Sequence, residues 1–173
     1  MKTSTLAAAL SLALAALSAH AQSGEAGGWY GGIDLGQGRA RVNGLDDNRD
    51  TSFGVDAGYR FNRNFALEGG YTRLGDFSPS YNARALSLSA IGLLPFEERF
   101  SLYGKAGLAR TRAETDSATD NADSLVFGAG VRYDLTRQWF AKAGWDHYTK
   151  VGGPETGSGH ADVLAVGVGL QFR

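Results

Sequence analysis

Eight separate segments of this chain alternate apolar and polar residues with a period of two, the spacing at which successive strand side chains point to opposite faces. From residue 51 to 61, Phe53, Val55, Ala57, Tyr59 and Phe61 fall on one face and Ser52, Gly54, Asp56, Gly58 and Arg60 on the other. From Phe65, the sets are Phe65, Leu67, Gly69 and Tyr71 against Ala66, Glu68, Gly70 and Thr72. Trp29, Gly31, Ile33 and Leu35 open the series against Tyr30, Gly32, Asp34 and Gly36. Leu86, Leu88, Ala90 and Leu94, then Phe100, Leu102, Ala106 and Leu108, then Leu125, Phe127, Ala129, Val131 and Tyr133 continue it. Trp139, Ala141, Ala143 and Trp145 precede the last set, Leu164, Val166, Val168, Leu170 and Phe172. The fold class is all-β, and an even set of eight strands suits an antiparallel up-and-down barrel.

The composition of the second face decides what surrounds such a barrel. It holds glycine, small polar residues, four acids (Asp34, Asp56, Glu68 and Asp146) and four bases (Arg60, Lys105, Arg132 and Lys142). That set cannot form a hydrophobic core, so it faces the lumen and the apolar set faces outward, an arrangement that water rejects and lipid requires. Closure leaves no unpaired backbone edge in the hydrocarbon. Aromatic placement agrees, because aromatic girdles mark membrane interfaces. Trp29, Phe61, Phe65, Phe96, Phe100, Tyr133, Trp139 and Phe172 gather at one end of the strands, and Phe53, Tyr71 and Trp145 form a looser second set.

Links between the strands alternate in length. Residues 62–64, 97–99 and 134–138 read as short turns, whereas 42–50, 76–83, 112–123 and 149–160 read as longer polar loops. Short periplasmic turns and long external loops are the habit of outer-membrane barrels, which puts both termini on the periplasmic side. Residues 1–21 read as a signal peptide: Lys2, an apolar run over residues 6–17, and the small-residue pattern Ala19-His20-Ala21. A run of twelve residues is too short for a spanning helix, which needs roughly 20. Residues 22–173 then form one barrel domain carrying 16 Lys and Arg against 18 Asp and Glu, a balance that disfavours a nucleic-acid partner. Cysteine is absent, which removes disulfides and thiolate chemistry, while 25 glycines against three prolines suit crowded, curved strands.

The stretches Trp29-Tyr30-Gly31-Gly32, Phe65-Ala66-Leu67-Glu68-Gly69-Gly70-Tyr71, Leu102-Tyr103-Gly104-Lys105-Ala106-Gly107 and Phe127-Gly128-Ala129-Gly130-Val131-Arg132-Tyr133 resemble, in content and order, the transmembrane domain of outer-membrane protein A and related small barrels. The resemblance implies a bacterial outer-membrane location, contact with outer-membrane lipids and lipopolysaccharide, and delivery by periplasmic chaperones to the assembly machinery. In that family an inward acid on the third strand pairs with inward bases as a salt-bridge gate; Glu68 and Lys142 match two such positions and Lys105 a further basic one. Arg132 stands where the family tends to have an acid, and Ile91 where a lysine is expected. Full-length members carry a peptidoglycan-binding domain, which is not expected here because the chain stops at Arg173. An aromatic C-terminal residue commonly serves as the assembly signal, and here Phe172 is followed by Arg173.

Other motifs yield little. Asp46-Asp47-Asn48-Arg49-Asp50 begins like a calcium loop, but Thr51 and Ala57 replace the required Gly and Glu, so no metal site is expected. Gly36-Gln37-Gly38 and Gly128-Ala129-Gly130 lack the following helix of a phosphate cradle, so no nucleotide cofactor is expected. Lipid A deacylases show a His and a Ser two apart on a membrane-facing strand; here His147 is followed by Thr149 and has no identifiable acidic partner, so no catalytic residues are assigned. Four functions stay open. They are a structural or surface-interaction barrel with a charge-filled lumen, a narrow gated channel, an adhesin, and a lipid-modifying enzyme. An eight-stranded barrel is just wide enough for side chains to fill it, which favours the first.

Overall fold

The computed structural model describes residues 27–42, 48–78, 81–115, 119–153 and 157–172. The expected signal peptide, residues 1–21, and Asp46 and Asp47 of the Asp46 to Asp50 motif lie outside the described residues. Eight strands run in order: β1 (Gly28–Val42), β2 (Asn48–Arg60), β3 (Phe65–Ser78), β4 (Tyr81–Pro95), β5 (Phe100–Thr115), β6 (Thr119–Asp134), β7 (Trp139–Gly153) and β8 (Gly157–Phe172). Each pairs antiparallel with its neighbours, and β1 pairs with β8 from Trp29↔Phe172 to Val42↔Gly159, which closes the barrel. No helix among the described residues is long and apolar enough to cross a membrane. Crossing falls to the strands, whose 13 to 16 residues exceed the roughly 9 to 11 that a tilted transmembrane strand needs.

The alternation fixes the faces as expected. Trp29, Ile33, Leu35, Leu86, Leu88, Leu94, Leu164, Val166 and Phe172 are exposed on the outer wall, whereas Ser52, Glu68, Ser89, Ser101, Ser124, Arg132 and Gln171 are buried inside. The surplus strand length lies beyond the outer apolar band, and it corrects the loop boundaries. Most of 76–83, 112–123 and 149–160 belongs to the strands, and residues 79–80, 116–118 and 154–156 lie outside the described residues. Beyond the bilayer the outward residues, Arg110, Arg112, Asn121 and Asp123 among them, are polar and exposed while the inward Thr111, Ala122 and Val151 stay buried, so the apolar-out, polar-in signal is lost while the ladder continues. The turns at the opposite end, residues 61–64, 96–99 and 135–138, are short. Asn62 Oδ1 accepts from the Asn64 and Phe65 N–H groups at 2.8 Å, and Thr136 Oγ1 accepts from Gln138 and Trp139 at 3.1 and 2.9 Å, so side chains at these tips take up amides the ladder cannot.

The aromatic girdle lies at this short-turn end. Trp29 and Tyr59 meet edge to face at 5.2 Å, Tyr59 and Phe61 at 5.1 Å, and Phe100 lies 5.9 Å from Phe96 and 4.5 Å from Tyr133. Phe65, Trp139 and Phe172 are exposed at the same level.

Ala90 sits midway along the outward face of β4, opposite Leu67 on β3 and Ala106 on β5. Replacing it with arginine should destabilise the barrel in phospholipid vesicles by about 2 to 4 kcal/mol, the cost of a base at the bilayer midplane, read from the urea unfolding midpoint. Leu86→Arg, at the edge of the band, should cost much less.

Candidate functional site

The lumen is built in layers, and the central layer is ionic. Lys142 on β7 reaches across the barrel to Asp56 on β2 at 2.8 Å and Asp34 on β1 at 3.0 Å. Lys105 on β5 holds Asp146 on β7 at 2.7 Å and approaches Glu68 on β3 at 3.9 Å. Glu68 also accepts a 2.9 Å hydrogen bond from the Tyr30 hydroxyl. Six of the eight inward charges singled out from the sequence thus meet in one cluster. Of the bases that the resemblance matches to the gate, Lys105 is the one that approaches Glu68, which Tyr30 also holds, while Lys142 pairs with Asp34 and Asp56.

The other two take no part. Arg132 lies nearer the periplasmic end, where its guanidinium binds Asp134 at 2.9 Å and Gln171 at 2.7 Å and covers the Phe140 ring at 3.8 Å. Arg60 turns to the rim and donates to the Asn62 and Arg63 carbonyls of the β2–β3 turn at 3.1 and 2.9 Å. The four-against-four balance counted along the sequence is therefore not the balance of the central layer, where four carboxylates share two ammonium groups. Sequence alternation gives the face of a residue but not its height along the axis, and height is what separates these two arginines from the rest.

Glycines make the layer possible by close approach. A Cβ at Gly167 would collide with the Asp34 carboxylate and one at Gly128 with that of Asp146, so each acid lies against a strand that offers no side chain at that point.

Above and below, the lumen is apolar, which corrects the expectation that the inward set excludes a hydrophobic core. On the external side Leu74, Ala83, Ala85, Ala109, Val126, Tyr148, Val151, Ala161 and Val163 pack into one buried cluster. On the periplasmic side Tyr30, Ala66, Ile91, Leu93 and Phe140 form another, with Arg132 laid over it. Tyr30, Val126 and Phe140 stood in the inward phase of the sequence, but Leu74, Tyr148 and Val163 lie past the segments where alternation is clear.

One outward cluster also departs from expectation. His147 has an acidic partner after all: Asp162, its cross-strand neighbour on β8, lies 2.8 Å from Nδ1 and accepts from Trp145 Nε1 at 3.1 Å. His160 stacks 5.6 Å from His147. Thr149 Oγ1 accepts the Leu125 N–H at 3.0 Å, and no hydrogen bond joins it to His147 among the described residues, so the arrangement lacks a poised nucleophile. No group of three His, Cys, Asp or Glu among the described residues is placed to hold a metal.

The family model of the outer membrane protein beta-barrel domain matches residues 9–172. The chain belongs to this family. Its location is accordingly the bacterial outer membrane. Outer membrane protein A of Escherichia coli O157:H7 is 26% identical over 186 residues, a match covering 96% of this chain and 54% of that protein. The same protein of Salmonella typhi is 26% identical over 190 residues, so the chain spans about half the length of the curated relatives it matches. Among solved structures, Neisserial surface protein A superposes with a TM-score of 0.72 at 23% identity, over 86% of this chain and 100% of that one. Ail, the attachment invasion locus protein of Yersinia pestis, gives 0.60 at 20% identity, covering 86% and 100%. The N-terminal β-barrel domain of Pseudomonas aeruginosa OprF gives 0.58 at 25% identity, covering 83% and 97%.

Within this family member, Lys142→Ala would leave Asp34 and Asp56 facing each other without a cation. A loss of about 3 to 5 kcal/mol in unfolding free energy is expected, the cost of removing one partner of a buried pair. Adding Asp34→Asn and Asp56→Asn should recover most of it. Tryptophan fluorescence during urea unfolding in vesicles reads both.

Proposed function

We propose that this protein is a closed, non-conducting outer-membrane barrel with a structural and surface role, not an enzyme, exported by a signal peptide at residues 1–21 and inserted by the outer-membrane assembly machinery. What supports the reading is that an apolar cluster flanks the ionic layer on each side. A hydrated solute or ion would have to pass Leu74, Val126, Tyr148, Val151 and Val163 on one side and Tyr30, Ile91, Leu93 and Phe140 on the other. Rearranging Lys142 and its carboxylates would leave both apolar clusters in place. In this reading Glu68, Lys142, Lys105, Asp34, Asp56 and Asp146 are a cross-lumen brace that ties β7 to β1 and β2, and β5 to β3 and β7. Arg132 and Arg60 brace the periplasmic mouth. The outer wall meets outer-membrane lipids, lipopolysaccharide among them, through the aromatic girdle and the exposed aliphatic band.

The alternative is a narrow channel gated by the same ion pairs, supported by the density of charge at the centre. Planar-bilayer recordings of the purified protein separate the two. Silence is expected from the wild type and from Lys142→Ala, with verified insertion. Discrete openings in the wild type, or openings released by Lys142→Ala alone, would overturn the closed reading.

A further inference from the structure

Only two histidines lie beyond the expected signal peptide, His147 and His160, and the fold brings them together. They stand on the neighbouring strands β7 and β8, on the outward face at the end of the barrel opposite the short turns. Their ring centres are 5.6 Å apart, with 42° between the ring planes. His147 Nδ1 lies 2.8 Å from the carboxylate of its register partner Asp162, which also accepts from Trp145 Nε1 at 3.1 Å. Pairing among the described residues thus occupies Nδ1 of His147 and leaves its Nε2 and both nitrogens of His160 for a ligand.

A histidine that donates its Nδ1–H to a carboxylate is fixed in the tautomer whose Nε2 carries a free lone pair, and the carboxylate raises the basicity of that nitrogen. Both effects favour metal ligation. An ion about 2.1 Å from a ring nitrogen lies about 3.2 Å from that ring's centre, so one ion can serve two rings whose centres are up to about 6.4 Å apart. The separation of 5.6 Å falls within this reach. The His147 and Asp162 side chains are 29% and 25% exposed, so water can complete the coordination sphere. Two imidazoles and water make an open site, which does not need the three side-chain donors that no group among the described residues supplies. Imidazole suits Zn²⁺, Cu²⁺ and Ni²⁺, whereas Mg²⁺ and Ca²⁺ take oxygen ligands.

We propose that His147 and His160 form a binding site for a divalent transition metal of the imidazole-preferring class, with Asp162 as the positioning residue that fixes the His147 tautomer. Its place on the cell exterior rests on the reading of the barrel with periplasmic termini. The site does not depend on the lumen being closed, so conduction in planar bilayers would leave it standing.

The test is electron paramagnetic resonance of one equivalent of Cu²⁺ added to the untagged protein in detergent micelles, with affinity read by competition against a chelator. Pulsed spectra of the wild type should show two coordinated imidazoles at a single site, and a large excess of Ca²⁺ should leave the ion bound. His147→Gln and His160→Gln should each leave one imidazole and weaken binding at least tenfold. Asp162→Asn should keep both imidazoles and weaken binding about 10- to 100-fold, the usual cost of removing a ligand's hydrogen-bonded support. Circular dichroism checks that each variant keeps its β structure, and the imidazole count of the wild type decides the matter even where a variant fails to fold. Fewer than two imidazoles on the wild-type ion, or its displacement by Ca²⁺, would overturn the proposal. So would a folded variant lacking both histidines that binds Cu²⁺ as tightly as the wild type, which would make the ion an adventitious one held elsewhere. Unchanged affinity in Asp162→Asn would overturn the positioning role.

Discussion

Hydrocarbon offers no partner to a backbone N–H or C=O, and every feature of this protein follows from meeting that condition with strands. A sheet meets it only by closing on itself, which the β1–β8 ladder does over its whole length from Trp29↔Phe172 to Val42↔Gly159. Closure with eight strands then sets the diameter, and the diameter leaves a lumen that side chains must fill. The outward residues answer to lipid and the inward ones to packing, so one alternating sequence satisfies two solvents at once.

What fills the lumen is a stack of three layers with different physics. The ionic layer is specific in geometry and costly if broken, because four carboxylates are held by two ammonium groups away from bulk water. The apolar clusters on either side fill the lumen with packed side chains above and below the ion pairs. The charges tie together strands that share no backbone hydrogen bonds, β7 to β1 and β2 and β5 to β3 and β7.

The strands, their number and their faces were legible in the sequence because a wall between lipid and a polar interior forces strict alternation, as in Phe53 to Phe61. The external strand ends were not, since there the outward Arg112, Asn121 and Lys150 are polar while the inward Thr111, Ala122 and Val151 are buried, and the apolar-out, polar-in pattern of a lipid-facing wall no longer marks the strand. The inward charges were also legible by phase. Which of them meet was not, because register and height along the axis decide that Lys142 reaches Asp34 and Asp56 while Arg132 turns to Asp134 and Gln171. The apolar lumen layers escaped for a related reason: a single inward Leu74 or Val163 looks like an exception on its strand, and becomes a layer only when eight strands bring such exceptions to one level. The His147–Asp162 pair lies 15 residues apart in sequence and is joined only by the β7–β8 register.

The central claim is that the ionic layer is sealed from bulk water by the apolar layers, and proton exchange tests it directly. In labelled protein in lipid nanodiscs, the ammonium protons of Lys105 and Lys142 should exchange with water far more slowly than those of exposed Lys150. The account predicts separate, slowly exchanging signals for the two lumen lysines with through-space contacts to their carboxylates. Exchange of Lys142 as fast as that of Lys150 would mean that water reaches the centre of the barrel, and would contradict the sealed lumen.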